Sequence, residues 1–172
     1  MALNGFKSTG HTPQVSLRPE QPGDERFLYE VYASTREEEL ALTNWDAPTR
    51  RAFVDQQFGA MCRGYRSMFP AGEFLVIEAA GRPVGRIVVD DSPDEFRVVD
   101  LALLPAERNQ GIGTLLMRHI CAEAKKPVRL CVLKFNRALL WYGRLGFTPF
   151  GERGCYDELE WRPATGPISP AG

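Results

Sequence analysis

Histidine is almost missing from this chain: among 172 residues there are only two, His11 and His119. A histidine-built metal centre is therefore excluded, since such a site draws several ligands from this residue type. His11 falls in the N-terminal tail, and His119 stands beside Leu115, Leu116 and Ile120 at helical spacing, so it reads as a packed helix residue. The four cysteines, Cys62, Cys121, Cys131 and Cys155, form no Cys-x-x-Cys pair. That spacing supports neither a zinc site nor a dithiol redox centre, and free thiols are expected. Charge of one sign is not in excess either: the formal net charge is −1. Tight non-specific binding to nucleic acid or to an anionic membrane has no electrostatic basis at that balance. No run approaches the roughly 20 apolar residues that span a bilayer. The opening MALNGFKSTGHTPQ lacks the apolar core of a secretory signal, so a cytoplasmic location is expected. No internal repeat is present.

What the chain does have is an ordinary globular composition, 44% hydrophobic and 25% charged, in a length suited to one domain with a real core. Residues 1–14 are small and polar, and RPATGPISPAG after Trp161 is rich in proline and glycine, so flexible tails are expected at 1–14 and 163–172 around a single domain at 15–162. VSLRP alternates like a short strand. Phe27, Leu28, Val31, Leu40 and Leu42 then follow at broadly helical intervals. Asp46 can cap a second helix with Pro48 at its first position, continued by Phe53, Val54, Phe58, Met61, Tyr65 and Met68 until Pro70. EFLVIEAAGRPVGRIVVDD and SPDEFRVVDLALLP read as three strands of an antiparallel meander. A helix over about Gly111–Lys125, a buried central strand VRLCVL, a short helix in NRALLWYGRLGF and a final strand CYDELEW complete the order β-α-α-β-β-β-α-β-α-β. A mixed α/β sheet with helices on its faces is expected.

The chemistry-bearing stretch is LALLPAERNQGIG. A strand leading through RNQGIG into a helix presents consecutive backbone N–H groups at the positive end of a helix, a setting suited to phosphate. Gly111 and Gly113 leave the main chain approachable, and Arg108 adds charge at the same mouth; the plainer reading is a tight strand-to-helix turn. The P-loop pattern fails for want of a lysine before Thr114, and the dinucleotide fingerprint fails because Leu116 stands where its third glycine belongs.

The segment LALLPAERNQGIGTLLMRHI resembles the Arg/Gln-x-x-Gly-x-Gly/Ala segment of the GNAT superfamily of acyl-CoA-dependent N-acyltransferases. NRALLWYGRLGF is similar to that family's second hallmark, a tyrosine shortly before Leu-Gly-Phe. The resemblance implies a mixed, mainly antiparallel sheet with helices on both faces. It implies acetyl-CoA as co-substrate and an N-acetyltransferase acting on a primary amine, a small molecule foremost, by direct attack in a ternary complex through a tetrahedral intermediate. Carried over position by position, Arg108, Asn109, Gln110, Gly111, Ile112, Gly113 and Thr114 would hold the coenzyme A pyrophosphate. Leu103 would pair its backbone with the pantetheine arm, and the strands LALLP and VRLCVL would splay around the thioester. Tyr142 matches the general acid that meets the departing thiolate, a role a phenol of pKa about 10 can fill; otherwise it packs as core beside Leu139 and Leu145. Asn136 stands one residue nearer to Tyr142 than the commonest family pattern, and either caps the helix, contacts pantetheine or does both.

For the general base, Asp100 shares a strand face with Val98 and Ala102, and a lone acid in so apolar a strand marks it as a base or as the partner of Arg86 or Arg97. Some family members place a glutamate earlier on this strand, where Arg97 stands here. Glu37, Glu38, Glu39 and Trp45 lie in the segment that usually selects the acceptor, though a solvated charged face and a core tryptophan are equally plain readings. Cys131, inside a strand read as buried, and Cys155 lack neighbours that would make them nucleophiles. The alternatives to a small-molecule enzyme are a catalytically silent acyl-CoA sensor or scaffold and a protein acetyltransferase. A monomer or a homodimer paired through the open edge of the last strand is expected.

Overall fold

The computed structural model describes residues 2–8, 10 and 14–164; His11 and residues 165–172 of the expected C-terminal tail lie outside them. The elements are β1 (Val15–Pro19), α1 (Glu25–Ala41), α2 (Ala47–Met68), β2 (Glu73–Ala79), β3 (Arg82–Asp91), β4 (Phe96–Leu103), α3 (Ile112–Glu123), β5 (Val128–Leu133), α4 (Ala138–Arg144), β6 (Thr148–Arg153) and β7 (Tyr156–Trp161). The sheet order is β1-β2-β3-β4-β5-β7-β6. β1–β2, β2–β3, β5–β7 and β6–β7 pair antiparallel, and β4–β5 pair parallel. The mainly antiparallel mixed sheet expected from the resemblance is therefore present.

The described residues form two compact units: Ala2–Asp90 with Val99–Gly113, and Asp91–Val98 with residues 114–164. In the first, α2 starts as the sequence predicts. Asp46 is extended and its carboxylate accepts from the Thr49 N–H at 2.9 Å, with Pro48 in the first turn. Tyr32, Leu40 and Val54 bury together between α1 and α2, with Phe53, Phe58 and Met61 packed around them. Leu75, Ile77 and Ile87 of β2 and β3 are almost completely enclosed.

The stretch expected to be a loose N-terminal tail is held over residues 3–8. The Leu17 N–H donates to the Phe6 carbonyl at 3.0 Å, the Ser8 N–H donates to the Val15 carbonyl at 2.8 Å, and Leu3 is 1% exposed. The physical reason is that β1 is an edge strand whose free side needs partners. Small polar residues give no periodic signal of that pairing.

Gly85 on β3 marks a close backbone approach. A methyl group there would run into the Ala102 carbonyl oxygen and stand 2.7 Å from Leu103 Cδ2. Gly85→Ala is expected to cost about 1–3 kcal/mol of stability as overpacking, read as a lowered midpoint in urea unfolding at unchanged slope.

In the second unit, Phe96, Leu116, Met117, Ile120 and Val128 are buried. Two expectations are corrected here. VRLCVL is not buried on both faces: Val128, Leu130 and Val132 are buried, while Cys131 and Leu133 are exposed, so β5 has one solvated face. A further strand, β6, lies beyond β7 at the sheet edge, so the open edge is not that of the last strand. Pro149 and Gly151 hid β6, because proline is tolerated on an edge strand yet argues against a strand in sequence; the pairing with β7 carries a register shift between Pro149 and Gly151. No helix among the described residues is long and apolar enough to cross a membrane.

Candidate functional site

β4 ends at Leu103 and a short turn over Pro105–Glu107 leads to the glycine segment. Asn109 and Gly111 take positive φ, +61° and +84°. That conformation turns the chain sharply into α3 at Ile112, and glycine adopts it without steric cost. The amides at the start of α3 have no intrahelical acceptor by the geometry of the helix. A Cβ built at Gly111 meets nothing within 4 Å, so the outer side of this turn is open. Gln110 ties the turn internally, its side-chain amide donating to the Ala106 carbonyl at 2.6 Å.

Arg108, expected to add charge at the mouth, makes protein contacts. Its Nε donates to the Leu103 carbonyl at 2.9 Å, and Nη2 donates to the Ser34 hydroxyl at 3.1 Å and to the Ser34 carbonyl at 3.3 Å. The end of β4 and the middle of α1 are thereby joined through one guanidinium. Sequence reasoning had no signal for Ser34, a small residue on a helix.

In the other unit, Thr114 in the first turn of α3 accepts from the Trp141 indole at 3.0 Å, which ties α3 to α4 one residue before Tyr142. Trp141 was not singled out from sequence. Tyr142 is 9% exposed, with its ring 4.6 Å from that of Trp141 and 5.6 Å from that of Phe147. Its carbonyl accepts the N–H groups of Leu145 and Phe147, closing α4 into the Leu-Gly-Phe turn where Gly146 has φ +90°. Asn136 caps: its Oδ1 accepts from the Ala138 N–H at 2.8 Å. The parallel register of β4 with β5 covers Phe96–Val128, Arg97–Arg129 and Val98–Leu130, while both strands continue past it.

Asp100 lies on the buried face of β4 and meets Arg86 of β3, with Nε and Oδ2 2.6 Å apart. Arg97 instead pairs with Glu95 at 2.7 Å. Of the two partners read as candidates for Asp100, the fold selects Arg86. Burial pushes the Asp100 carboxyl up from its ordinary value, against the pull of the Arg86 guanidinium. Glu37, Glu38 and Glu39 are exposed, and Trp45 is partly exposed against the Phe53 ring. Cys121 is buried, and burial pushes its thiol up to about 12, which makes it a poor nucleophile at neutral pH.

Residues 70–149 match the family model described as an acetyltransferase (GNAT) domain. No curated protein matches the chain in sequence. Among solved structures, the chain is similar to the PaiA N-acetyltransferase from Thermoplasma acidophilum in complex with coenzyme A. The TM-score is 0.65 at 19% identity, over 86% of this chain and 98% of that one. It is also similar to an acetyltransferase from Thermus thermophilus, with TM-score 0.62 and 17% identity over 86% and 96%. Ard1 from Thermoplasma volcanium shares the fold at TM-score 0.52 and 23% identity over 85% and 94%. The segment 70–149 thus matches an acetyltransferase (GNAT) domain, and the chain shares the fold of these acetyltransferases.

Proposed function

We propose that the chain transfers an acetyl group from acetyl-CoA to a primary amine, a small molecule foremost, by direct attack. The observation that carries this reading is the turn at 108–114. There a left-handed Gly111 opens toward solvent at the start of α3, where backbone N–H groups are available to a pyrophosphate. Its residues fit that group: the main chain supplies donors and no side chain stands over Gly111. A setting where acetyl-CoA is made and thiols stay reduced, the cytoplasm, suits the four free cysteines.

In this reading the amine nitrogen bonds to the thioester carbonyl carbon, the carbon–sulfur bond breaks, and the amide and free coenzyme A leave. The amine proton passes to Asp100 or to a water held by it, and Tyr142 supplies a proton to the departing sulfur. Asn136 shapes the start of α4 and so helps hold Tyr142. Leu103 offers its backbone to the pantetheine arm.

Thiol release from acetyl-CoA against a panel of primary amines tests the activity, followed by a pH profile with the best acceptor. Because the Asp100 pKa is raised, its basic form appears only as pH climbs through that raised value. The wild-type rate should therefore fall on acidification toward that value. Asp100→Asn should lower kcat/KM by about 100-fold and lose that acidic limb. A full-rate Asn variant would leave Asp100 as the counter-ion of Arg86 alone, and absence of release with every amine would sink the transfer reading.

A further inference from the structure

The first unit contains a cavity of about 940 Å³ between α1, α2 and strands β2 and β3, and no residue of the glycine turn lines it. Part of its wall is apolar and aromatic, with Leu28, Tyr29, Phe58, Tyr65, Phe74 and Val88 facing it. Arg86 also lines it, with a side chain only 6% exposed. Asp100 approaches the Nε of this guanidinium, and on the far side Nη2 meets the sulfur of Met61 at 2.9 Å. A thioether is a weak acceptor, so a buried cationic fork faces the cavity without an oxygen ligand at that corner.

The charges around the cavity point the same way. Five arginines line it against three carboxylates. Of the arginines, Arg66 is held by Glu20 at 2.9 Å and Arg26 by Glu30 at 3.2 Å, so Arg51, Arg63 and Arg86 stand against Glu25 and Asp55, the latter beside the Tyr29 phenol. A cation entering this space would approach a buried guanidinium. A carboxylate would replace the sulfur as acceptor and complete an Asp100–Arg86–carboxylate arrangement, the planar pairing that arginine makes best.

We propose that this cavity is a binding site for a small carboxylate ligand with an apolar or aromatic body, its acid group on Arg86 and its body against Phe58 and Phe74. The site is separate from the one proposed for acetyl-CoA and does not depend on transfer activity.

Cys62 also lines the cavity and is half-buried, which makes it a reporter. In a Cys131→Ser/Cys155→Ser variant, which removes the two exposed thiols, maleimide labelling of Cys62 can be followed by peptide mass mapping. Phenylbutyrate, phenylbutylamine and phenylbutyramide serve as matched probes. Phenylbutyrate is expected to slow labelling of Cys62 about tenfold near saturation, with the amine and the amide leaving it unchanged. Arg86→Met should abolish the protection. Should that variant fail to fold, Arg86→Lys keeps the charge but loses the fork, and should weaken protection by phenylbutyrate about tenfold. Equal protection by acid and amide, stronger protection by the amine, or none by any probe would each overturn the proposal.

Discussion

Tyr142→Phe is expected to lower the turnover of thiol release by about 100-fold while leaving the Kd for acetyl-CoA unchanged. The ring packs against those of Trp141 and Phe147, and the residue's backbone carbonyl accepts the two N–H groups that terminate α4. Phenylalanine keeps the ring that makes these two contacts and leaves the backbone acceptor in place, and an unfolding curve checks that the variant is folded. In the proposed mechanism the variant loses the proton given to the departing thiolate, an interaction that matters only as the carbon–sulfur bond breaks. The effect should therefore fall on kcat, with the KM for acetyl-CoA little changed. Steady-state kinetics with calorimetric titration decide it: an unchanged kcat would make Tyr142 a core residue and remove it from the chemistry.

Gly111→Trp should weaken acetyl-CoA binding at least about 100-fold, close to 2.7 kcal/mol, whereas Gly111→Ala should keep it. The two substitutions share the backbone problem, since a side chain at φ +84° costs about 1–2 kcal/mol of stability. They differ in bulk. Nothing lies within 4 Å of the alanine methyl, but an indole would fill the open side of the turn, where the pyrophosphate is proposed to sit. Titration of both variants, with unfolding curves to confirm that each is folded, separates strain from occlusion. Equal binding by Gly111→Trp and wild type would remove the turn from the cofactor site and leave the glycine as a chain reversal.

Much of this architecture was legible because it is written locally. The start of α2 at Asp46 and Pro48 and the turn at Gly111 depend on residues a few positions apart, so their signals survive in one dimension. Asn136 likewise acts two residues away, on the Ala138 N–H. The apolar runs of β2 to β4 also announced themselves. β6 did not, because an edge strand with a proline and a glycine takes its stability from β7 and needs little propensity of its own.

The sequence by itself determined the order of elements up to that edge, the glycine turn and the tyrosine before Leu-Gly-Phe, since these are local patterns of residue type and spacing. Only the tertiary structure decided the rest. It chose Arg86 over Arg97 for Asp100, turned Cys131 outward on β5, drew Arg108 onto Leu103 and Ser34, and laid residues 3–8 along β1. Each of these depends on partners far apart in the chain, or on which strand face is covered. Such choices are made by burial and by the need of polar groups for a partner, and neither exists until the chain has folded.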